Sequence, residues 1–285
     1  MAPQAEGPSF PHPLTPMPTV SVLIPCFNQG RYLPETLESL IAQTFSDWEA
    51  LIVDDGSTDD SAAIAERFCA RDKRFRLIRQ DNAGVAAARN RAIAESRGQY
   101  LLPLDADDRI APAYLEKAVA ELDRDPEIRI VYGGAERFGG ARQWELPSYS
   151  MERMLARNCI YVSALFRKED AGEGFDPAFR DGYEDWDFWL SVLERHPGRV
   201  VKLPETVFYY RTHRDSRNFG VSDERLAGIR KLLWEKHRGL YGSYFFDPKE
   251  SVEYLRLERA FKKASRFSLV WKLRLLARRL TGNSR

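Results

Sequence analysis

The sequence predicts an α/β fold, a mostly parallel sheet flanked by helices and followed by a helical C-terminal extension. From residue 19 to residue 132, short runs rich in β-branched residues alternate with amphipathic runs of helical spacing. Such alternation favours helices that cross over between parallel strands and cover both faces of the sheet. Several strand-like runs are followed directly by polar residues, as expected where strand ends line a ligand crevice.

The elements of the first half follow one another in a regular order. Strands are predicted at 20–24, 48–53, 75–78, 100–104 and 128–132, and helices at 34–43, 59–69, 84–96 and 112–122. Pro34 suits a first helical turn, because proline lacks the N–H that this turn leaves unused.

The rhythm weakens after Tyr132. The glycine pairs at 133–134 and 139–140 predict a hairpin or loop. Further strands are predicted at 161–166, 199–203 and 206–211, with a helix at 186–194, and the last part is predicted to be helical at 225–237, 250–264 and 268–280.

Composition limits the cellular setting. Cys26, Cys69 and Cys159 are widely spaced and form no C-x-x-C pair, which favours a reducing compartment and argues against structural zinc. No apolar run is long enough to cross a bilayer, and the start lacks the pattern of a signal peptide. These features predict a cytoplasmic protein.

The two ends of the chain differ from its middle. Six prolines within residues 1–18 predict a disordered leader, because proline at this density supports neither helix nor sheet. Segment 255–285 holds ten Lys or Arg against one Glu, although the whole chain has a net charge of +1. A basic amphipathic helix of this kind predicts contact with an anionic membrane surface, with packing on the core or on a second subunit as the alternative. Nucleic acid is not expected as a partner, because the rest of the chain is acidic and has no binding motif.

The most informative stretch is Asp105-Ala106-Asp107-Asp108, which follows the apolar run 100–104. Carboxylates gathered this closely repel one another unless a positive group joins them. A hard divalent cation that also binds substrate phosphates would supply that charge. The alternative is a solvated turn whose aspartates cap the next helix.

Polar residues follow three other predicted strands, at 25–28, 54–55 and 82–84. Because the carboxyl ends of parallel strands meet at one rim of the sheet, all four exits are expected to lie together. The sequence therefore predicts a ligand crevice at this rim.

Six stretches, in this order, resemble the family-2 glycosyltransferases, nucleotide-sugar enzymes with the Rossmann-like GT-A fold. They are VSVLIPCFN (20–28), LIAQTFSDW (40–48), VDDGST (53–58), NAGVAAARNR (82–91), LDADD (104–108) and YEDWDFW (183–189). The resemblance covers residues 19–213. It implies a nucleotide-sugar-binding half at 19–132, an acceptor-side half of the same domain at 133–219, and a basic helical extension at 220–285.

The resemblance also implies roles for single residues. On the nucleotide side, Pro25 and Phe27 line the base pocket, Asp55 accepts a hydrogen bond from the base, Asp54 supports that turn, and Asn82, Gly84, Arg89, Asp105, Ala106 and Asp107 lie near the nucleotide sugar. Asp107, Asp105 and His213 are the implied metal ligands, for Mn²⁺ or Mg²⁺. Asp185 matches the catalytic base, and Glu184, Trp186 and Asp108 are candidate contacts to sugar or acceptor.

Each role has a structural alternative. Asp185 could cap the helix at 186–194, Trp186 could be core, His213 could be an ordinary packed histidine, and Arg89 could lie on a solvated helix face.

The implied reaction is inverting, metal-assisted transfer from a nucleoside-diphosphate sugar, a UDP-sugar by family habit, to a glycan or glycolipid hydroxyl. The Q-x-x-R-W motif of processive synthases is absent, which favours transfer of one or a few sugars. A sugar-nucleotide pyrophosphorylase and a non-catalytic nucleotide-binding scaffold are the alternatives. The first would need a glycine-rich basic loop after the first strand, where this chain has Pro25-Cys26-Phe27-Asn28.

Overall fold

The computed structural model of the protein describes residues 17–139, 146–179, 182–212 and 222–244, together with Arg256 and Arg259. The strands of this part are β1 (Val20–Cys26), β2 (Trp48–Asp55), β3 (Phe75–Gln80), β4 (Tyr100–Pro103), β5 (Arg109–Ile110), β6 (Ile128–Phe138), β7 (Leu165–Arg167) and β8 (Arg199–Arg211). The helices are α1 (Leu33–Ile41), α2 (Ser61–Arg71), α3 (Val85–Glu95), α4 (Tyr114–Arg124), α5 (Met151–Ala156), α6 (Glu184–Arg195), α7 (Asp223–Lys236) and α8 (Arg238–Tyr244).

The strands form one mixed sheet in the order β3-β2-β1-β4-β7-β6-β8-β5. Neighbours pair in parallel from β3 to β4 and again between β6 and β8, whereas β7 and β5 run antiparallel to their neighbours. The central strands β1 and β2 are buried along their whole length, which explains their near-continuous apolar sequences. The mostly parallel α/β sheet predicted from the alternation is confirmed.

The first half matches the predicted elements closely. Each of its five predicted strands and four predicted helices is present, with ends that differ by a few residues. The two-residue strand β5 was not predicted, since so short a segment carries no periodicity.

The predicted loop at the Gly133–Gly134 pair is wrong. Strand β6 continues through both glycines to Phe138 and pairs with β8, with irregular register at this point. A Cβ on Gly133 would lie 2.6 Å from Val207 Cγ2, and one on Gly134 would lie 3.0 Å from the carbonyl oxygen of Glu205. The glycines therefore admit a close approach of β8 instead of turning the chain.

Other parts of the second half also differ from the prediction. Residues 199–211 form one strand instead of two, the predicted strand 161–166 is shortened to β7, and helix α5 was not predicted. The predicted helix 186–194 is α6, which begins two residues earlier.

Helix α6 is held on the sheet by an aromatic cluster. Its Trp189 packs edge-on against Phe166 of β7, with ring centroids 5.4 Å apart, and its Phe188 stacks on Phe175 at 4.1 Å. Trp189 is fully buried, as its core interpretation requires. This packing fixes the position of the helix that carries the acidic residues 184 and 185.

The C-terminal part is helical where it is described. Helix α7 matches the helix predicted at 225–237, and α8 follows it directly. Outside the described residues lie the helix predicted at 268–280, all of the helix predicted at 250–264 except Arg256 and Arg259, nearly all of the leader at 1–18, and His213. Among the described helices, none combines the length and apolar character that a bilayer crossing needs.

Candidate functional site

A cavity of about 1450 Å³ opens where β1, β2 and β4 end, at the rim predicted from their polar exits. The predicted site residues on its wall are Pro25, Phe27, Asp55, Asn82, Gly84, Arg89, Asp105, Ala106, Asp107, Glu184, Asp185 and Trp186. The structure thus brings residues from five of the six sequence motifs to one cavity. Asp54 and Asp108 were predicted beside them but do not line it.

Asp55 organises the end of the cavity nearest β2. Its buried carboxylate accepts hydrogen bonds from Gln80 Nε2 at 2.7 Å and from the backbone N–H groups of Ala83 and Gly84, both at 2.9 Å. Gly84 has a φ of +91°, a conformation that suits glycine. A carboxylate has about four lone-pair sites, so one is left for a ligand.

The turns around Asp55 are tied to one another. Asp54 is buried, and its Oδ1 accepts from the Ser57 N–H at 3.2 Å, so it supports the turn as predicted without facing the cavity. Asn28 Oδ1 accepts from the Thr58 N–H at 2.8 Å and links the β1 and β2 exits. Phe27 lines the cavity and is 46% exposed.

Arg89 joins the two acidic motifs. Its guanidinium donates from Nη2 to Asp105 Oδ1 at 2.6 Å and from Nη1 to Glu184 Oε1 at 2.7 Å. The side chain is 1% exposed, so the alternative of a solvated helix face is wrong. Burial alone would lower the pKa of Arg89, but Asp105 and Glu184 outweigh it and raise this pKa above its usual range.

Glu184 is the counter-ion of Arg89 in this bridge. It is 5% exposed and also lines the cavity, and its contact with the sugar stays a prediction. A buried arginine needs such partners, because an uncompensated charge in the interior is costly.

Asp107 and Asp108 are fixed from β8. Arg211 donates from Nε to the carbonyl oxygen of Asp107 at 2.8 Å and from its backbone N–H to Asp108 Oδ1 at 2.8 Å. Asp108 is 1% exposed, faces β8 and does not line the cavity, so its burial does not favour the predicted contact with substrate. The alternative of a capping turn is wrong, since the chain enters β5 next and the N-cap of α4 is Ala113.

The carboxylates on the cavity wall fit a hard divalent cation. Within the described ranges, no group of three or more His, Cys, Asp or Glu side chains forms a complete metal site. Asp105 and Asp107 nevertheless give oxygen donors on the cavity wall, and burial together with the charges of Asp107 and Asp105 raises the pKa of Asp108. Mg²⁺ commonly binds through one or two carboxylates and fills its shell with phosphates and water.

Asp185 lies in the first turn of α6. The N-cap of this helix is Tyr183, whose φ of 64° turns the chain into the helix, so the interpretation of Asp185 as the cap is wrong. Asp185 Oδ1 accepts from the Trp186 N–H at 2.9 Å, and its Oδ2 accepts from Asn158 Nδ2 at 3.0 Å. Asn158 was missed by sequence reasoning, because a lone asparagine after α5 carries no motif.

The surroundings of Asp185 shift its titration toward neutrality. Burial is the largest cause and the negative charge of Glu184 the second; together they raise the pKa of Asp185 to about 7, against the opposing effects of Arg89, the Trp186 amide and Asn158. A carboxylate with this pKa is suited to accept a proton near neutral pH.

Trp186 is a wall of the cavity and part of the core. It is 1% exposed, and its indole Nε1 donates to the carbonyl oxygen of Met154 at 2.6 Å. This anchoring supports the core interpretation over that of an exposed sugar platform.

Comparison with known proteins places the chain in a family. Residues 21–175, more than half of the chain, match the family model described as Glycosyl transferase family 2. The chain belongs to glycosyltransferase family 2. The family resemblance drawn from the six sequence motifs is thereby confirmed.

Curated relatives match this chain over different shares of their own length. Chondroitin synthase of Escherichia coli is 32% identical over 76% of this chain, which spans 34% of that protein. The uncharacterized glycosyltransferase EpsJ of Bacillus subtilis (strain 168) is 30% identical over 80% of this chain, which spans 72% of EpsJ.

Solved glycosyltransferase structures share the fold. S. aureus TarS 1-349 in complex with UDP-GlcNAc has a TM-score of 0.63 at 18% identity, with 82% of this chain and 77% of that chain covered. The mannosyltransferase PcManGT from Pyrobaculum calidifontis, in complex with GDP-Man and Mn²⁺, has a TM-score of 0.56 at 17% identity over 88% of this chain and 81% of that one. The GT-A fold implied by the resemblance is confirmed.

Proposed function

We propose that this family-2 chain is an inverting, metal-assisted glycosyltransferase that moves a sugar from a nucleoside-diphosphate sugar to a hydroxyl of a glycan or glycolipid. One observation carries the proposal: Asp185 and the Asp105–Asp107 pair line one cavity and are linked through Glu184 and Arg89. A carboxylate with a pKa near neutrality and a carboxylate pair that can hold a metal ion for the diphosphate are the two parts that such a transfer needs.

The comparisons support the choice of donor. TarS was solved with UDP and with UDP-GlcNAc, and PcManGT with GDP-Man and Mn²⁺. Relatives that include chondroitin and hyaluronan synthases are named for polysaccharide products. We assign the donor as a UDP-sugar and the acceptor half to residues 133–219.

The donor end of the cavity binds and orients the leaving group. Asp55 has a remaining lone pair for the base, and the exposed ring of Phe27 offers a stacking surface. Asp105 and Asp107 would hold a Mn²⁺ or Mg²⁺ ion, with His213 as the implied third ligand. When bound, this ion would stabilise the negative charge that grows on the departing diphosphate.

Asp185 acts as the base. Its carboxylate takes the proton of the acceptor hydroxyl, the hydroxyl oxygen bonds to the anomeric carbon, and the bond from that carbon to the diphosphate oxygen breaks. The electron pair of that bond leaves with the nucleoside diphosphate. Attack from the face opposite the leaving group inverts the anomeric centre, as in inverting hydrolysis with a sugar hydroxyl in place of water.

The test is a donor panel with Mn²⁺, scored by nucleotide released with and without an added acceptor mixture and with and without EDTA. Asp185→Asn should retain donor binding and lose about 10²-fold or more of turnover. Wild-type turnover in that variant would remove Asp185 as the base. Pyrophosphate chemistry that depends on UTP would replace the proposal with the pyrophosphorylase.

We also propose that the enzyme works in the cytoplasm, at the inner face of the plasma membrane, and contacts the membrane through the basic segment 255–285. Each acceptor would receive one or a few sugars. Co-sedimentation with anionic liposomes, using the whole chain and a chain that ends near residue 265, tests the contact. Equal pelleting of both chains would remove it.

A further inference from the structure

Four arginines line the cavity that carries the proposed base: Arg89, Arg137, Arg157 and Arg230. Arg157 comes directly after α5, and Arg230 lies on α7. Both are exposed and both line the cavity, although Arg230 lies beyond the residues matched by the family model. The inference drawn from them rests on the proposed function.

Contacts place both arginines on the acceptor side. Arg157 immediately precedes Asn158, whose side chain holds Asp185 Oδ2 at 3.0 Å. Arg230 lies on α7, which α8 follows directly, and the Tyr241 hydroxyl of α8 donates to the carbonyl oxygen of Leu155 in α5 at 2.8 Å. The chain therefore brings α5, α7 and α8 together beside the base.

These arginines differ from the others around the site. Arg89 forms ion pairs with two buried or half-buried carboxylates, and Arg137 is half-buried on β6. Arg211 is held by Glu35 and the Asp107 carbonyl. Neither Arg157 nor Arg230 forms an ion pair with any residue in the described part of the chain. Two positive groups on one cavity wall attract a negatively charged ligand and raise its local concentration.

We propose that the acceptor carries an acidic group, a carboxylate or a phosphate, which Arg157 and Arg230 bind while its hydroxyl faces Asp185. The planar guanidinium fork matches both groups through paired, charge-assisted hydrogen bonds. The cavity exceeds the roughly 300–1,000 Å³ of an ordinary small-molecule site, which leaves room for an acceptor beside the donor. An acidic group bound by these arginines would hold one end of the acceptor so that its hydroxyl lies next to Asp185.

The test compares three acceptors at saturating donor: oligosaccharides containing glucuronic acid, the same oligosaccharides after reduction of their carboxyl groups, and polyol-phosphate oligomers. Charge-assisted hydrogen bonds contribute about 1.5–3 kcal/mol, so an acidic acceptor should exceed the neutral one in kcat/KM by about tenfold or more. The acidic acceptor that is preferred identifies the source of the charge. Equal use of charged and neutral acceptors would overturn the inference.

Variants localise the effect. Arg157→Gln and Arg230→Gln should each reduce the preference for the acidic acceptor about tenfold by raising its KM, while the donor KM stays the same. Matched controls are Arg153→Gln, which removes a charge from α5, and Lys231→Gln, which removes one next to Arg230; neither residue lines the cavity. A rise in the donor KM would show that the arginines bind the diphosphate of the donor. If the control variants lost the same preference for the acidic acceptor, the overall positive charge of this surface would be the cause.

Failure of the inference and failure of the proposed function look different. Transfer to neutral acceptors that disappears in Asp185→Asn, with no preference for acidic ones, keeps the glycosyltransferase and discards the acidic acceptor. If the wild-type chain neither hydrolyses any donor nor transfers to any acceptor, both are discarded.

Discussion

The activity of this chain should fall at low pH because the proposed base, Asp185, becomes protonated. Asp185 also accepts a hydrogen bond from Asn158, which offers a way to test this cause. Asp185 must be ionised to act as a base, and its pKa of about 7 leaves about a tenth of it ionised at about pH 6 and about nine tenths at about pH 8. We therefore expect kcat to rise about tenfold across this range. An ordinary aspartate would be ionised throughout and would give a flat profile.

Asn158→Ala tests whether the pKa of Asp185 sets the pH at which activity falls. The Asn158 amide stabilises the ionised form of Asp185, so its removal should raise this pKa further and move the acid limb to higher pH. A hydrogen bond to a charged group contributes about 1.5–3 kcal/mol. Because one pKa unit corresponds to 1.36 kcal/mol and Asp185 is only partly buried, we expect a displacement of about one unit.

The assay is nucleotide release at saturating donor, measured in overlapping buffers. Asn90→Ala is the matched control, because the Asn90 side chain binds the backbone of Phe175 instead of Asp185. A flat wild-type profile between about pH 6 and about pH 8 would contradict the assigned pKa. A limb that moves to lower pH in Asn158→Ala would contradict the assigned hydrogen bond.

Three further predictions concern metal binding and stability. Asp107→Ala should weaken the calorimetric titration of the chain with UDP and Mn²⁺ about tenfold, and an unchanged titration would exclude Asp107 as a ligand. Arg89→Met should lower the free energy of unfolding in urea by about 3–5 kcal/mol, because it removes the positive charge that compensates the buried Glu184; Arg89→Met together with Glu184→Leu should recover much of the loss. His237→Ala should cost about 1–3 kcal/mol, since the buried ring loses its hydrogen bonds to Asp187 and Glu194 while Lys236 still pairs with Asp187. The exposed Lys231→Ala should cost less than about 0.5 kcal/mol in the same assay.

The elements of residues 19–132 were predictable because their signals are local. Each strand exit and helix start in this range is marked by a change of period or by a polar residue. The elements of residues 133–219 depend on pairings that are distant in sequence. Gly133 and Gly134 resemble a turn in isolation, and only the close approach of β8 shows why a strand needs glycine there.

The roles of single residues were likewise predictable where the signal was local and were missed where it depended on distant contacts. The Asp105–Asp107 pair and Asp185 were identified by motif, and the structure places them on one cavity wall. The partnership of Arg89 with Glu184 joins residues 95 positions apart, and Asn158 reaches Asp185 over 27 positions. No spacing rule in a single sequence links such pairs.

The bridge made by Arg89 limits how this enzyme can be recombined with its relatives. The Arg89 guanidinium binds Asp105, which is close to it in sequence, and Glu184, which is 95 positions away. A chimaera of two relatives can therefore take Arg89 and its partner at position 184 from different parents. A hybrid that takes its C-terminal half from a relative without an acidic side chain at position 184 would bury half of a broken ion pair. Chimaeras should therefore fold stably when the residues at positions 89 and 184 come from the same parent.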